Sequence, residues 1–126
     1  MATKRILVID DEADIREVAQ LSLELGGNWD VLVAASGQEG ITLAERQQPD
    51  AILLDVMMPD MDGPTTWQQL QANPATRHIP VILLTAKVQA PEQRHYAKLG
   101  VAAVFAKPFD PVQLPILIAD ALHWEL

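Results

Sequence analysis

Short apolar runs alternate along this chain with longer stretches in which apolar residues recur at helical spacing. The runs predict five strands, at residues 6–9, 29–35, 51–54, 80–84 and about 102–106. The stretches between them predict five helices, at 13–25, from a cap at 36 to 46, from a cap at 62 to a stop at 73, at 90–99 and from about 110 onward. Runs of this length are too short for helices and are typical of strands buried on both faces. With right-handed crossovers, the alternation predicts an α/β fold with helices on both faces of a parallel sheet.

Local signals mark the ends of several predicted helices. Ser36 and Glu39 form a capping box, and Asp62 precedes the proline-containing start of the third helix. The first helix is predicted to be amphipathic and to stop at 26–27; its apolar residues are Ile15, Val18, Ala19, Leu21 and Leu25. The last helix is predicted to face inward through Leu114, Leu117, Ile118, Ala121 and Leu122. Pro115 is expected to kink that helix or to delay its start.

Composition and charge restrict the class of protein. A chain of 126 residues that is 49% apolar is long enough for one domain, and we assign residues 1–126 to it. Its 17 acidic and 9 basic residues give a formal charge of -8, which argues against DNA binding because a phosphate backbone requires a basic stripe. No run is long enough for a membrane span or a signal peptide. With no cysteine present, these features predict a soluble cytoplasmic protein.

Polar residues directly follow four of the predicted strands. Asp10 and Asp11 follow the first, Asp55 the third, Thr85 the fourth and Lys107 the fifth. Parallel strands end at one edge of a sheet, where α/β proteins bind ligands, so these side chains are expected to meet in one crevice. Three carboxylates there repel one another by roughly 4 kcal/mol per close pair, and Mg²⁺ together with the lysine would offset their charge. A carboxylate beside Mg²⁺, a hydroxyl and a lysine is equipped to accept a phosphoryl group, so we expect phosphorylation of Asp55.

The same residues carry a resemblance to a known family, the receiver domains of two-component response regulators. It covers essentially the whole chain and rests on residues 10–11, on Asp55 with 58–59 and Gly63, on Thr85 with Ala86, and on 107–109. The resemblance implies a flavodoxin-like three-layer α/β/α sandwich with five strands in the order 2-1-3-4-5 and five helices. It also implies a cis peptide between Lys107 and Pro108.

The resemblance further implies a role for each site residue. Asp11 and Asp55 would bind Mg²⁺ with the backbone carbonyl of Met57, and Asp10 would act mainly through water. Asp55 would be the phosphoacceptor, Thr85 would turn to the phosphoryl oxygens, and Lys107 would pair with them. The donor would be a sensor histidine kinase or a histidine phosphotransfer protein, with an unidentified protein as the downstream target. The chain would catalyse only its own phosphorylation and dephosphorylation.

Two features depart from the family pattern. Receivers commonly carry Tyr or Phe three positions before the active-site lysine, whereas this chain has Val104 there, followed by Phe105. We therefore expect an altered relay of the signal. Met57 and Lys87, two positions after Asp55 and Thr85, provide no acid or amide to orient an attacking water, so we expect a long-lived aspartyl phosphate.

Other interpretations are open for these residues. Taken singly, each acid is better explained as a cap or turn residue, and only their joint placement favours a metal site. A phosphatase with an Asp nucleophile would carry an Asp-x-Asp pattern after the first strand, and an FMN carrier would need a Ser/Thr/Gly loop there. A receiver fold with constitutive binding output is a third alternative, against which the intact acid, Thr and Lys set argues. The chain ends just after the fifth predicted helix, so we expect no output domain within it, and it is either a stand-alone receiver or part of a longer protein.

Overall fold

The sheet has five parallel strands in the order 2-1-3-4-5. In the computed structural model, which describes residues 3–86 and 90–126, the strands are β1 (Arg5–Ile9), β2 (Asp30–Ala34), β3 (Ala51–Asp55), β4 (Val81–Thr85) and β5 (Ala103–Ala106). The helices are α1 (Ala13–Gly27), α2 (Gly37–Gln47), α3 (Gly63–Ala72), α4 (Ala90–Ala97) and α5 (Leu114–Leu122). The predicted flavodoxin-like architecture and its strand order are confirmed.

The central strands are buried on both faces because successive side chains point to opposite sides of the sheet. Ile6 and Val8 of β1 belong to the apolar layer beneath α1 and α5. Leu7 and Ile9 belong to the layer beneath α2, α3 and α4. An uninterrupted apolar run was therefore the correct signal for these strands, since neither face meets water.

The inward face of α1 differs from the prediction. Val18, Leu21 and Leu25 are 40%, 53% and 84% exposed, whereas Ala19 and Leu23 are completely buried. The helix packs on the sheet through a narrow stripe of small and large side chains at 19, 22 and 23. Val18, Leu21 and Leu25 consequently lie on the protein surface.

The end of α1 also differs from the predicted stop at Gly26 and Gly27. The helix continues through both glycines and is capped by Asn28, which has a left-handed φ of 56° and whose N–H donates to the carbonyl of Leu23. The first glycine instead allows close packing, because a Cβ there would lie 2.6 Å from Pro115 of α5. Glycine at this position thus serves the contact between two helices.

Helix α5 begins only at Leu114, with Pro115 in its first turn, which confirms a delayed start. The prediction for Leu117 was wrong, since this side chain is 44% exposed, and Ala119 is buried in its place. Because the helix starts at residue 114, its buried positions are 114, 115, 118 and 119. Which residues of α5 face inward therefore depends on where the helix begins. The spacing of the apolar residues alone did not predict that position.

Both predicted N-cap residues are confirmed, although the Glu39 side chain bonds to Ala35 and not to Ser36 as in a capping box. The N–H of Glu39 donates to the Ser36 hydroxyl at 3.2 Å, and the Glu39 carboxylate accepts from the N–H of Ala35 at 3.3 Å. Asp62 accepts from the N–H of Thr65 at 2.8 Å, which fixes the start of α3. None of the helices in the described ranges combines the length and apolar character needed to cross a bilayer.

Candidate functional site

The ends of four strands bring the predicted polar residues to one edge of the sheet. In the register of β1 and β3, Asp10, which follows β1, lies beside Asp55, the last residue of β3. Thr85 is the last residue of β4 and is completely buried. The N–H of Lys107 donates to the carbonyl of Thr85 at 2.9 Å, which places the lysine beside both acids. The structure therefore brings together residues that lie up to 97 positions apart, from 10 to 107.

Lys107 bridges two buried carboxylates. Its ammonium nitrogen lies 2.9 Å from Asp10 Oδ2 and 3.1 Å from Asp55 Oδ1, and both acidic side chains are 3% exposed. A third acid, Glu12, lies 3.9 Å from the same nitrogen but is largely exposed. Ion pairs screened from water are stronger than surface pairs, so the lysine holds the two aspartates at a fixed separation.

One oxygen of Asp55 remains without a partner. Asp55 Oδ2 is buried and accepts no hydrogen bond from any residue that the structure describes. Asp10, Asp11 and Asp55 each offer an oxygen, and these three oxygens lie within 4.8 Å of one another. Hard carboxylate oxygens at this spacing fit Mg²⁺, whose charge would offset the negative charge clustered there.

The electrostatics of the site favour a cation. Burial, together with the nearby charge of Asp10, raises the pKa of Asp55 from 3.8 to about 6, although Lys107 acts in the opposite direction. Burial alone would lower the pKa of Lys107, but its hydrogen bonds to Asp10 and Asp55 outweigh this effect and raise that pKa above its ordinary 10.5. The lysine therefore stays charged, while ionised Asp55 is held in an unfavourable environment.

The loop after Asp55 returns closely to the end of β3. The N–H of Gly63 donates to the carbonyl of Val56 at 2.9 Å, and a Cβ on Gly63 would lie only 2.5 Å from the carbonyl oxygen of Asp55. Glycine is therefore required at this position by the close approach of two backbone segments. Met57 lies in this loop with its side chain 61% exposed, and the assignment of its carbonyl to a metal remains a prediction.

The fifth strand contains the predicted departure from the family pattern. Val104 is partly buried and packs on the layer beneath α2, α3 and α4, whereas Phe105 packs on the opposite layer. The ring of Phe105 therefore does not lie on the Val104 side of the sheet.

The peptide between Lys107 and Pro108 is cis, as expected. Lys87, which was expected to flank the path of an attacking water, lies outside the described residues.

Sequence reasoning missed one residue of the site, Arg16. Its guanidinium donates to the backbone carbonyl of Asp10 at 2.7 Å, from the end of the first turn of α1. The available signal was the position of this arginine, a few residues after the paired acids and early in the first predicted helix. Such a position lies close to the end of β1. That signal was weak, because an arginine at such a position usually extends into solvent.

Comparison with protein families and individual proteins gives consistent matches. The model of the response regulator receiver domain matches residues 6–119. The response regulator PleD of Caulobacter vibrioides is 43% identical over 124 residues, which are 97% of this chain and 27% of PleD. The DNA-binding dual master transcriptional regulator RpaA of Synechocystis is 41% identical over 106 residues, which are 84% of this chain and 44% of RpaA. The chain therefore spans less than half the length of either relative.

Solved structures match over nearly the whole chain. The chemotaxis protein CheY4 of Vibrio cholerae has a TM-score of 0.87 at 25% identity, with 95% of this chain and 99% of that chain covered. A response regulator receiver domain protein of Clostridium thermocellum has a TM-score of 0.83 at 30% identity, with 95% and 94% covered. This chain therefore shares its fold with these solved structures.

Proposed function

Because this chain belongs to the response regulator receiver domain family, we propose that it accepts a phosphoryl group on Asp55 and thereby changes its contacts with a downstream protein. We infer that the donor is the phosphohistidine of a sensor histidine kinase or of a phosphotransfer protein. One observation supports this assignment above the others. Asp55 is a buried carboxylate with one oxygen held by Lys107 and the other without a hydrogen-bond partner in the described parts of the chain.

The unpartnered oxygen is the one placed to attack phosphorus. Asp55 Oδ2 forms the new bond to phosphorus, and the bond from phosphorus to the donor nitrogen breaks. The bonding electron pair stays on the imidazole, which leaves neutral because its other nitrogen carries a proton. Attack requires the ionised carboxylate, and with a pKa of about 6 Asp55 is mostly ionised at neutral pH.

Mg²⁺ fits the remaining charge of the site. Asp11 and Asp55, with the Met57 carbonyl, would hold it, and Asp10 would contribute mainly through water. When bound, the ion supplies positive charge to the oxygens of the transferring phosphoryl group. Lys107 donates to an oxygen of the same group after transfer, since its nitrogen already lies 3.1 Å from Asp55. Thr85, at the end of β4, donates a hydrogen bond from its hydroxyl to another of these oxygens.

Phosphorylation by a small donor tests the proposal directly. Intact mass of the wild-type protein with Mg²⁺ and acetyl phosphate is expected to show one added phosphoryl group. Asp55→Asn should show none, because an amide oxygen is a poor nucleophile. Asp60→Asn is the matched control and should be phosphorylated normally, since Asp60 is exposed in the same loop. An unmodified wild-type protein, or an adduct that survives Asp55→Asn, would refute the assignment. Continuous release of phosphate at a high rate would instead indicate a phosphatase.

The surface beside α1 suggests where a protein donor binds. An apolar groove of about 470 Å³ lies between α1 and the segment before α5; its lining residues include Val18, Leu21, Leu25, Pro111 and Val112. Helix α1 starts at the site itself, three positions after Asp10, so a donor helix along this groove would lie next to Asp55. We infer that an amphipathic helix of the phosphohistidine protein occupies the groove.

Charge restricts the character of that donor helix. Asp14, Glu17 and Glu24 are exposed on α1, and its single basic residue, Arg16, donates to Asp10. A second copy of this chain would therefore place acids against acids. A partner with apolar residues flanked by lysine or arginine would complement both the apolar groove and the acidic residues beside it.

A substitution in the groove separates donor binding from chemistry. Leu21→Asp should slow transfer from a phosphorylated histidine protein at least about tenfold, because an introduced charge in an apolar contact commonly costs more than 1.4 kcal/mol. It should leave phosphorylation by acetyl phosphate unchanged. Ile116→Asp is the control, because Ile116 is an exposed apolar residue of α5 and is not among the groove-lining residues. Equal transfer to the wild-type and Leu21→Asp proteins would exclude the groove as the docking site.

A further inference from the structure

We propose that Arg16 is a positioning residue that orients Asp11 for Mg²⁺ by holding the peptide unit between Asp10 and Asp11. The guanidinium donates to the Asp10 carbonyl at 2.7 Å, a short, charge-assisted hydrogen bond. This inference rests on the proposed function, because it assigns the metal to the cluster formed by Asp10, Asp11 and Asp55.

All four polar atoms of Asp10 are engaged by the protein. Its N–H donates to the Ala34 carbonyl at 3.1 Å, and its carbonyl accepts from Arg16. One carboxylate oxygen accepts from the N–H of Glu12 at 2.9 Å, and the other lies 2.9 Å from the Lys107 nitrogen. Asp10 is thus fixed in the structure and has no unpaired oxygen to offer first to an ion.

Asp11 has the opposite character. It is exposed, and its side chain makes no hydrogen bond or ion pair with the described residues. The position of its backbone therefore decides how far its carboxylate can reach toward Asp55. The peptide that joins it to Asp10 is planar, so the direction of the Asp10 carbonyl fixes the direction of the Asp11 N–H and the position of its Cα.

Arg16 is the residue that fixes this carbonyl. It is the fourth residue of α1, and its own N–H donates to the Glu12 carbonyl at 3.1 Å. The helix therefore anchors one end of the side chain, and the Asp10 carbonyl anchors the other. Without the guanidinium, the peptide between the two acids could rotate, and Asp11 would sample orientations that face away from Asp55. Residues that orient metal ligands in this way commonly change metal affinity by about 10–100-fold.

Two variants and a control test this role. Arg16→Met should weaken Mg²⁺ binding, measured by titration calorimetry, by at least about tenfold. Arg16→Lys should recover part of the loss, because an ammonium group supplies one donor without the planar fork. Arg46→Met removes the same charge from an exposed position on α2 and should stay within about twofold of the wild type. A loss in Arg16→Met that Arg46→Met shares, or an unchanged affinity in Arg16→Met, would overturn the proposal.

A metal-free measurement distinguishes this inference from the proposed function. In the absence of Mg²⁺, the backbone amide resonance of Asp11 should shift or broaden in Arg16→Met and return toward its wild-type position in Arg16→Lys. An unmoved Asp11 resonance would overturn the positioning role even if Asp55 is phosphorylated normally. Failure of the wild-type protein to be phosphorylated, with the Asp11 resonance responding as expected, would refute the function alone.

Discussion

Replacing Asp55 by Asn is expected to stabilise the metal-free protein at neutral pH. Burial and the charge of Asp10 raise the pKa of Asp55 from 3.8 to about 6, against the opposing effect of Lys107. A difference of this size corresponds to about 3 kcal/mol of unfavourable free energy for the ionised group in the folded chain. Asn has nearly the same shape and no charge, and its amide nitrogen can donate to the neighbouring carboxylates. We therefore expect a gain of about 2–3 kcal/mol above about pH 7, which is on the order of 10 °C in Tm for a domain of this size.

The sign of the pH dependence follows from linkage. Because the pKa of Asp55 in the folded chain lies above the 3.8 of the unfolded chain, the folded protein binds this proton more tightly. The stability contributed by protonated Asp55 is fully present below pH 3.8 and is lost as the pH rises through about 6. The wild type loses this contribution over that interval, whereas Asp55→Asn does not. The advantage of the variant should therefore be small near pH 4 and complete above about pH 7.

Urea unfolding with a metal chelator present measures this difference. Trp29 is 6% exposed and reports on the core by its fluorescence. Asp60→Asn is the control for net charge, because Asp60 is exposed and has a φ of 64°, which Asn adopts as readily as Asp. Added Mg²⁺ should stabilise the wild type and have little effect on Asp55→Asn. A stability difference that is constant from about pH 4 to pH 7.5, or a wild type more stable than the variant at pH 7.5, would refute the reasoning.

Three further substitutions probe separate parts of the site. Lys107→Met should raise the pKa of Asp55 above about 6, because the lysine lowers that pKa through a hydrogen bond and its charge. NMR titration of the Asp55 carboxyl carbon measures this pKa. Lys107→Arg should keep the pKa of Asp55 close to its wild-type value. Gly63→Ala should cost at least about 2 kcal/mol in urea unfolding, because the new methyl group would lie 2.5 Å from the Asp55 carbonyl oxygen, whereas Pro64→Ala should cost less. Met57→Asn should shorten the lifetime of the phosphorylated protein, since an amide can orient water beside Asp55; an unchanged decay rate by intact mass would contradict this.

The convergence of the main site residues was predictable because it depends only on strand direction. Asp10, Asp55, Thr85 and Lys107 each stand at the carboxyl end of a strand or directly after it, and parallel pairing brings those ends to one edge. Four apolar runs of similar length fixed where the strands end. Once the fold class was recognised, the sequence predicted that these residues lie close together. No information on loop conformation was needed for this prediction.

Two features could not be predicted because they depend on packing choices outside the strands. The apolar residues of α1 form more than one stripe, and spacing alone does not tell which stripe meets the sheet; Leu23 does, and Leu21 does not. The contact of Arg16 with Asp10 requires a particular path of the loop after β1 and a particular rotamer of a long side chain. The packing of α1 involves neighbours far away in sequence, such as Pro111, whose carbonyl accepts from the Ser22 hydroxyl.

The electrostatic conflict at Asp55 supports the proposed chemistry. Burial, the nearby charge of Asp10 and an oxygen without a hydrogen-bond partner among the described residues make ionised Asp55 costly in the metal-free fold, and Lys107 offsets only part of that cost. A cation that binds only to the folded state raises the free energy of unfolding by about 2.7 kcal/mol at a concentration of 100 times its Kd. This gain is close to the cost of ionising Asp55. A hydrogen-bond donor of this chain placed against Asp55 Oδ2 would also reduce the cost of ionising Asp55. It would, however, occupy the lone pairs that have to reach phosphorus. Substitutions at position 55 that increase metal-free stability should therefore abolish phosphorylation, and a stabilised variant that is still phosphorylated would contradict this account.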